Sequence, residues 1–254
     1  MLFAADSYAV LAYDVSRRLI WNKGAGAEIT RFVSYADNIL TLEIEVEMSG
    51  LLETVQIRTD VESVADRRYL DVLFGVLESH PEVERIEPGL TDEEVQAVQH
   101  TFKFWFPPDL RGLLQFAVPV GKLFPNWRDP GGADLQARFD WPFEGIRFDV
   151  EQSGFWLQEW GSRPRDAAAR MAVVRNAMDE TPRLVPVCGH RYIPALQCRA
   201  GNPVFSVYHT DIIYYGYDLA DYFHHEFGVP LPEWAAKEPP QIEFWTDSLR
   251  WRGE

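Results

Sequence analysis

Three side chains that could ligate a metal lie close together in the chain, Cys188, His190 and Cys198. Zinc ligands favour CxxC or HxxxH spacing, in which both side chains reach one ion. The C-x-H-x₇-C pattern here is neither, and it lacks a fourth ligand. His224 and His225 are adjacent on a predicted helix, where neighbouring side chains diverge by about 100°. The reading is two buried cysteines acting as small hydrophobes and a hydrogen-bonded histidine, with no metal and no cofactor. Nucleophilic chemistry is equally poorly supplied. The chain has no GxSxG elbow, and neither cysteine carries the local signature of a catalytic thiol. Ser206 and His209 are three residues apart on a predicted strand, so they face opposite sides and are badly placed for proton transfer.

A chain with 39 acidic residues contains many carboxylate pairs by chance. A glycosidase-like pair with tryptophan sugar platforms stays open on those grounds, against a reading of Trp127, Trp141, Trp156 and Trp160 as core or interface aromatics. Gly24-Ala25-Gly26 has neither the lysine nor the strand-to-helix context of a phosphate loop. The unusual material is polar and aromatic at once: FPNWRDP, WPFEGIRFDVEQSGFWLQEWG and VCGHRYIPALQCRAGNPVFSVYHTDIIYYG. Buried polar groups persist when they are hydrogen-bonded. His190, Arg191, Asn202 and Asp211 are therefore expected to form a structural polar network or to line a groove.

The chain has 254 residues and carries 24 basic against 39 acidic side chains, a net charge of −15. The longest basic runs are the pairs Arg17-Arg18 and Arg67-Arg68, which argues against nucleic acid as a partner. The acidity suits solubility or attraction to a basic protein surface. Two cysteines in a chain of this length point to a reducing compartment. The N-terminal stretch MLFAADSYAVLAYDV has no basic region and includes Asp6, so it does not read as a signal peptide. No segment approaches the ~18 uninterrupted apolar residues of a membrane span. A cytoplasmic location with no membrane partner is expected.

The elements that must position these residues read as follows. Residues 1–60 form a β-rich N-terminal extension of about four short strands, with period-two alternation in SYAVLAYDV, LTLEIEVEM and VQIRT. Turns are expected at Asn22-Lys23-Gly24, Ala36-Asp37-Asn38 and Ser49-Gly50. From residue 61 the signal is helical, with Leu70, Leu73, Phe74 and Leu77 on one stripe that ends before His80-Pro81. PEVERIEPG reads as an acidic connector. In LTDEEVQAVQHTFKF, Thr91 and Glu94 make a capping box and Leu90 with Val95 a hydrophobic staple, with Val95, Val98 and Phe102 on one face. Pro107-Pro108 turns the chain into a second helix carrying Leu110, Leu113, Leu114 and Ala117.

Residues 118–142 read as loop, and EGIRFDV with GFWLQEWG as a strand pair around Gln152-Ser153-Gly154. PRDAAARMAVVRNAMDE is a helix with Ala172, Val173 and Ala177 among its apolar positions. RLVPVCGH, NPVFSVY and DIIYYG are three strands. DLADYFHHEFG is a helix capped by Asp218 and stopped by Gly228, with Leu219, Phe223 and Phe227 on one face. The Pro/Trp-rich tail, 229–254, is expected on the surface.

LTDEEVQAVQHTFKFWFPPDLRGLLQFAVPVG resembles the opening signature of the SUKH superfamily, the group that includes the fungal Smi/Knr cell-wall regulators. FPNWRD, EGIRFDVEQSGFWLQEWG, VPVCGHRYIP and GNPVFSVYHTDIIYYGYDLADYF resemble bacterial members of that group. The resemblance runs from about Leu90 to Gly228, within a domain assigned to 61–228, and leaves residues 1–60 outside it. It implies an α+β fold, with helices packed on a mostly antiparallel sheet. It also implies a non-enzymatic protein-binding module, as in bacterial immunity proteins that neutralise a cognate toxin or in fungal scaffolds for cell-wall signalling. A carbohydrate hydrolase is the alternative from another class. On the immunity reading the partner is a protein, a basic toxin domain steered by the acidic surface. The contact residues expected are Trp127, Arg128, Trp156, Glu159 and Trp160, aromatic anchors beside charged groups.

Overall fold

Leu70, Leu73, Phe74 and Leu77 are all buried in α1 (Arg67–Glu78), so the apolar stripe does form the inner face of a helix. β7 (Arg85–Pro88) follows. The expected acidic connector is thus partly a strand, paired antiparallel with β8 (Ala117–Val120). A four-residue strand this rich in charge has no readable alternation, and its partner alone defines it. α2 (Asp92–Phe102) opens on the capping box: the Thr91 hydroxyl accepts from Glu94 N–H and the Glu94 carboxylate accepts from Thr91 N–H. Gln99 Oε1 accepts from the Phe106 amide beyond the helix end, and Pro107 then caps α3 (Pro108–Phe116).

These coordinates come from a computed structural model that describes residues 67–196, 200–242 and 244–246 in full. Between residues 2 and 58 it describes strand backbones only. These are β1 (Leu2–Asp6), β2 (Ala9–Tyr13) and β3 (Leu19–Gly24) in one antiparallel meander, and β4 (Ala27–Ala36), β5 (Ile39–Val46) and β6 (Leu52–Arg58) in another. Asn22-Lys23-Gly24 lies in β3 instead of a turn. The turns expected at Asp37-Asn38 and Ser49-Gly50 lie outside the described residues, as does Cys198.

Among the fully described residues the architecture is α+β, with six helices and antiparallel sheets of two and four strands. The larger sheet has the order β12-β11-β10-β9, built from β9 (Leu184–Cys188), β10 (Arg191–Pro194), β11 (Val204–Tyr208) and β12 (Asp211–Gly216). It has four strands where three were expected, because the short RYIP segment pairs between β9 and β11. Period two explains the apolar runs. Val185, Ile193 and Val204 enter one hydrophobic cluster with α1, α2, α3 and α6 (Leu219–Phe227). Leu184, Tyr192 and Phe205 enter a second, with Val174 of α5 (Ala167–Asp179). A sheet covered on both faces loses its polar alternation.

The largest departure from the sequence reading lies at 133–160. EGIRFDV does not pair with GFWLQEWG as a strand. It is the end of α4 (Ala133–Phe148), which continues into a π-helical turn, Asp149–Ser153, and GFWLQEWG is loop with a 3-10 turn at Gln158–Trp160. The first sixteen residues of that segment are helical although Pro142 and Gly145 sit within them. Pro142 cannot donate to the Arg138 carbonyl, and the Tyr192 hydroxyl does so instead at 2.8 Å. In α5 the buried position is Val174, while Ala172 is exposed. Part of the described tail is internal: Ile242 and Trp245 are buried in the second cluster, and Trp245 Nε1 donates to Pro182 O at 2.7 Å, whereas Leu231 is exposed.

Candidate functional site

Trp141 and Phe148 stand seven residues apart on α4, two turns along one face. Between them Gly145 leaves room for the β11–β12 turn. A Cβ on Gly145 would lie 2.7 Å from His209 Cα, so only a bare α-carbon admits the turn at that height. His209 itself adopts a left-handed backbone, φ 57°, which turns the chain from β11 into β12.

The result is a row of rings. Trp141 lies 6.2 Å from Tyr208, Tyr208 stacks on His209 at 5.0 Å, and His209 meets Phe148 edge-on at 4.7 Å. Both ends of the row are anchored. Trp141 Nε1 donates to Val207 O at 3.0 Å. The Asp149 carboxylate accepts from Thr210 N–H at 3.0 Å, Thr210 Oγ1 at 2.7 Å and Ser153 Oγ at 3.0 Å, and pairs with His209 Nδ1 at 3.3 Å. Burial pushes the Asp149 carboxyl up, yet the hydrogen bonds from Thr210 prevail and hold it below the usual carboxylate range.

Three of these rings face water: Tyr208 is 59% exposed, Phe148 48% and Trp141 41%. Ile213, 45% exposed, lies across the hairpin opposite Ser206 and on the same face as Tyr208. Large exposed apolar side chains held in fixed geometry are what binding hot spots are made of. The rim is acidic. Glu144 falls between Trp141 and Phe148 on the helix, Asp140 adjoins Trp141, and Asp211 is the ladder partner of Tyr208. The one guanidinium among them, Arg147, is held by Glu144 and Glu151.

The expected contact residues are scattered. Trp127 is 3% exposed and packs edge-on against Phe106 in the first cluster, so it is a core residue and cannot anchor a partner. Arg128 is committed internally. It binds Glu94 and Glu87 at 2.9 Å each and Pro88 O at 2.6 Å, tying β7 to the cap of α2. Trp156 and Trp160 do meet, ring centroids 5.1 Å apart, but they lean on the second cluster, and Trp156 Nε1 is used on Gly161 O. Glu159 is exposed beside them.

The expected polar network forms in part. Arg191 contacts His190, binds Ser206 Oγ at 2.9 Å and Glu226 at 3.2 Å, and lies 3.6 Å over the Tyr215 ring. Burial and the adjacent Arg191 charge lower the His190 pKa. Asn202 sits elsewhere, fully buried, with its Nδ2 donating to Pro194 O. Asp211 belongs to the hairpin beside Tyr208.

Ser206 accepts from Arg191 and His209 pairs with Asp149, so they do not act on each other. Burial pushes the Cys188 thiol up to about 12, far from a nucleophilic thiolate. His224 contacts Val229 O, whereas His225 faces Asp221, and among the described residues no cluster of His, Cys, Asp or Glu is arranged to hold a metal. No helix among the described residues is long and apolar enough to cross a membrane.

This row of exposed rings forms a ledge that is not legible in the sequence, because α4 is not. Without a helix over 133–148, nothing brings Trp141 and Phe148 to one face. The only visible hint was the aromatic density of WPFEGIRF and VYHTD. In comparisons with family models, curated proteins and solved structures, the chain matches none.

Proposed function

We propose that this chain is a non-catalytic protein-binding module, a cytoplasmic immunity-type protein that neutralises a cognate toxin domain with a basic surface. The observation that carries the reading is the ledge, in which Trp141, Tyr208, His209 and Phe148 line up in the open with their backbone and polar groups already tied down. Rings that lose little freedom on contact leave more of the interaction energy for affinity. The charge supports the same partner. A net charge of −15, with Asp140, Glu144 and Asp211 beside the rings, speeds encounter with a cationic surface and selects against an anionic one. The SUKH-like strings add support, since one of them, GNPVFSVYHTDIIYYG, contributes Tyr208, His209 and Ile213 to the ledge.

Co-expression with toxic products of the neighbouring genes tests the reading. Rescue of growth by the wild-type chain, lost with Tyr208→Ala and Phe148→Asp while both variants remain folded, is the expected result. Failure to neutralise any adjacent toxin, together with no basic protein partner at stoichiometric amounts, rejects immunity. Several weak, salt-sensitive partners in place of one tight one would identify a scaffold.

A further inference from the structure

Next to the ledge's acidic rim lies a cleft of about 780 Å³, between the α2–α3 corner, α4, α5 and the tail. Phe139 and Phe143 stand four residues apart on α4, and each carries a guanidinium on its ring. Arg183 lies 5.3 Å above Phe139 and Arg175 5.2 Å above Phe143. Cation–π stacking fixes the plane of a guanidinium but leaves its N–H edge unused. Among the described residues neither guanidinium has a hydrogen bond or an ion pair. Burial lowers the Arg183 pKa against the opposing charges of Asp140 and Asp179.

Lys103 adds a third cation to the lining, and Asp140, Glu144 and Asp179 are its acids. Glu144 is already spent on Arg147 at 2.6 Å, and Asp140 accepts from Gln136. In a chain of net charge −15, a cleft lined by three cations and three carboxylates, one of them paired with Arg147, is less acidic than the molecule as a whole. Its apolar part is aromatic and soft, with Trp105, Met178 and Trp245 among the walls. A volume in this range, with aromatic walls beside charged ones, is of the size a small ligand fills.

We propose that the cleft binds a small organic anion, a planar apolar body bearing a carboxylate or phosphate that Arg175 and Arg183 grip together. The planar body lies along the Trp105 and Met178 walls while the anionic group meets the two N–H edges, which suit bidentate recognition of oxyanions. The cleft shares Asp140 and Glu144 with the rim of the ledge but none of its rings, and the proposal needs no protein partner.

Calorimetric titration with 3-phenylpropionate, phenyl phosphate and the neutral 3-phenylpropanol tests it on the intact chain. At least one anion is expected to saturate and to bind at least about tenfold more tightly than the alcohol. The stronger of the two identifies carboxylate or phosphate as the group recognised. Arg175 is exposed on α5, so Arg175→Gln should fold normally and weaken that anion at least about fivefold, whereas Tyr208→Ala should leave it unchanged. Equal binding of alcohol and anions, no saturation by either anion up to about 10 mM, or unchanged affinity in Arg175→Gln would overturn the proposal.

Discussion

Gly145 and His209 meet backbone to backbone, the helix at its one bare α-carbon and the hairpin at its one left-handed residue. This contact fixes the height of the β11–β12 turn on α4, and with it the spacing of Trp141, Tyr208, His209 and Phe148.

Gly145→Ala should therefore destabilise the protein. A methyl group 2.7 Å from His209 Cα forces helix and turn apart, an overpacking cost of about 1–3 kcal/mol that outweighs the ~1 kcal/mol helix-propensity gain. Gly75→Ala is the control. It lies inside α1 with nothing within 4 Å of the added atom, and should stabilise by up to ~1 kcal/mol. Urea unfolding midpoints of the two variants should move in opposite directions.

Tyr192→Phe should cost about 1–3 kcal/mol, because it strips the donor from an Arg138 carbonyl that Pro142 has already deprived of its helical partner. In a Pro142→Ala background the helix supplies its own N–H, and the same substitution should cost clearly less. A double-mutant cycle reads the coupling, and equal costs in both backgrounds would show that the hydroxyl is not replacing the missing amide.

Asp109 sets a pH dependence. Its carboxyl is buried at the start of α3 and accepts from Gly201 N–H and Leu110 N–H. Burial raises its pKa from 3.8 to about 6 despite those hydrogen bonds. Between these values the folded state holds a proton that the unfolded state has released, so this group's contribution to stability falls as pH rises from about 4 to 6. The change is bounded at roughly 3 kcal/mol. The stability difference between the wild type and Asp109→Asn should vary across that window and flatten above it, as followed by denaturant unfolding at each pH.

Tyr208→Ala separates surface from scaffold. The side chain is 59% exposed and its removal should change stability by no more than about 0.5 kcal/mol. Affinity for the ledge's partner should fall by about 2 kcal/mol or more, some thirtyfold. A thermal melt and a binding isotherm on one preparation check both halves. A large loss of stability would make Tyr208 a structural residue.

The helices with local punctuation were legible from the chain. Thr91 and Glu94 cap α2, Pro107-Pro108 opens α3, and Asp218 and Gly228 bracket α6, because capping partners lie within a few residues of each other. The α+β class was implied by the resemblance to the SUKH superfamily, and the structure has it. The helix at 133–148 was not legible, since Pro142 and Gly145 are breakers by every local rule. Their compensation comes from Tyr192 and His209, fifty or more residues away. Trp127, expected as a surface anchor, is buried, and Arg128 is half-buried and tied to carboxylates, for the same reason: Phe106, Glu87 and Glu94 reach them only in three dimensions.

What the sequence determined by itself was therefore the acidity of the molecule and the helices whose ends are capped locally, with the class implied by a resemblance. Tertiary structure alone decided where α4 runs, which rings stand in the open and which guanidiniums go without a carboxylate. Charge and capping are properties of neighbouring residues. Exposure and partnership depend on groups that only the folded chain brings together.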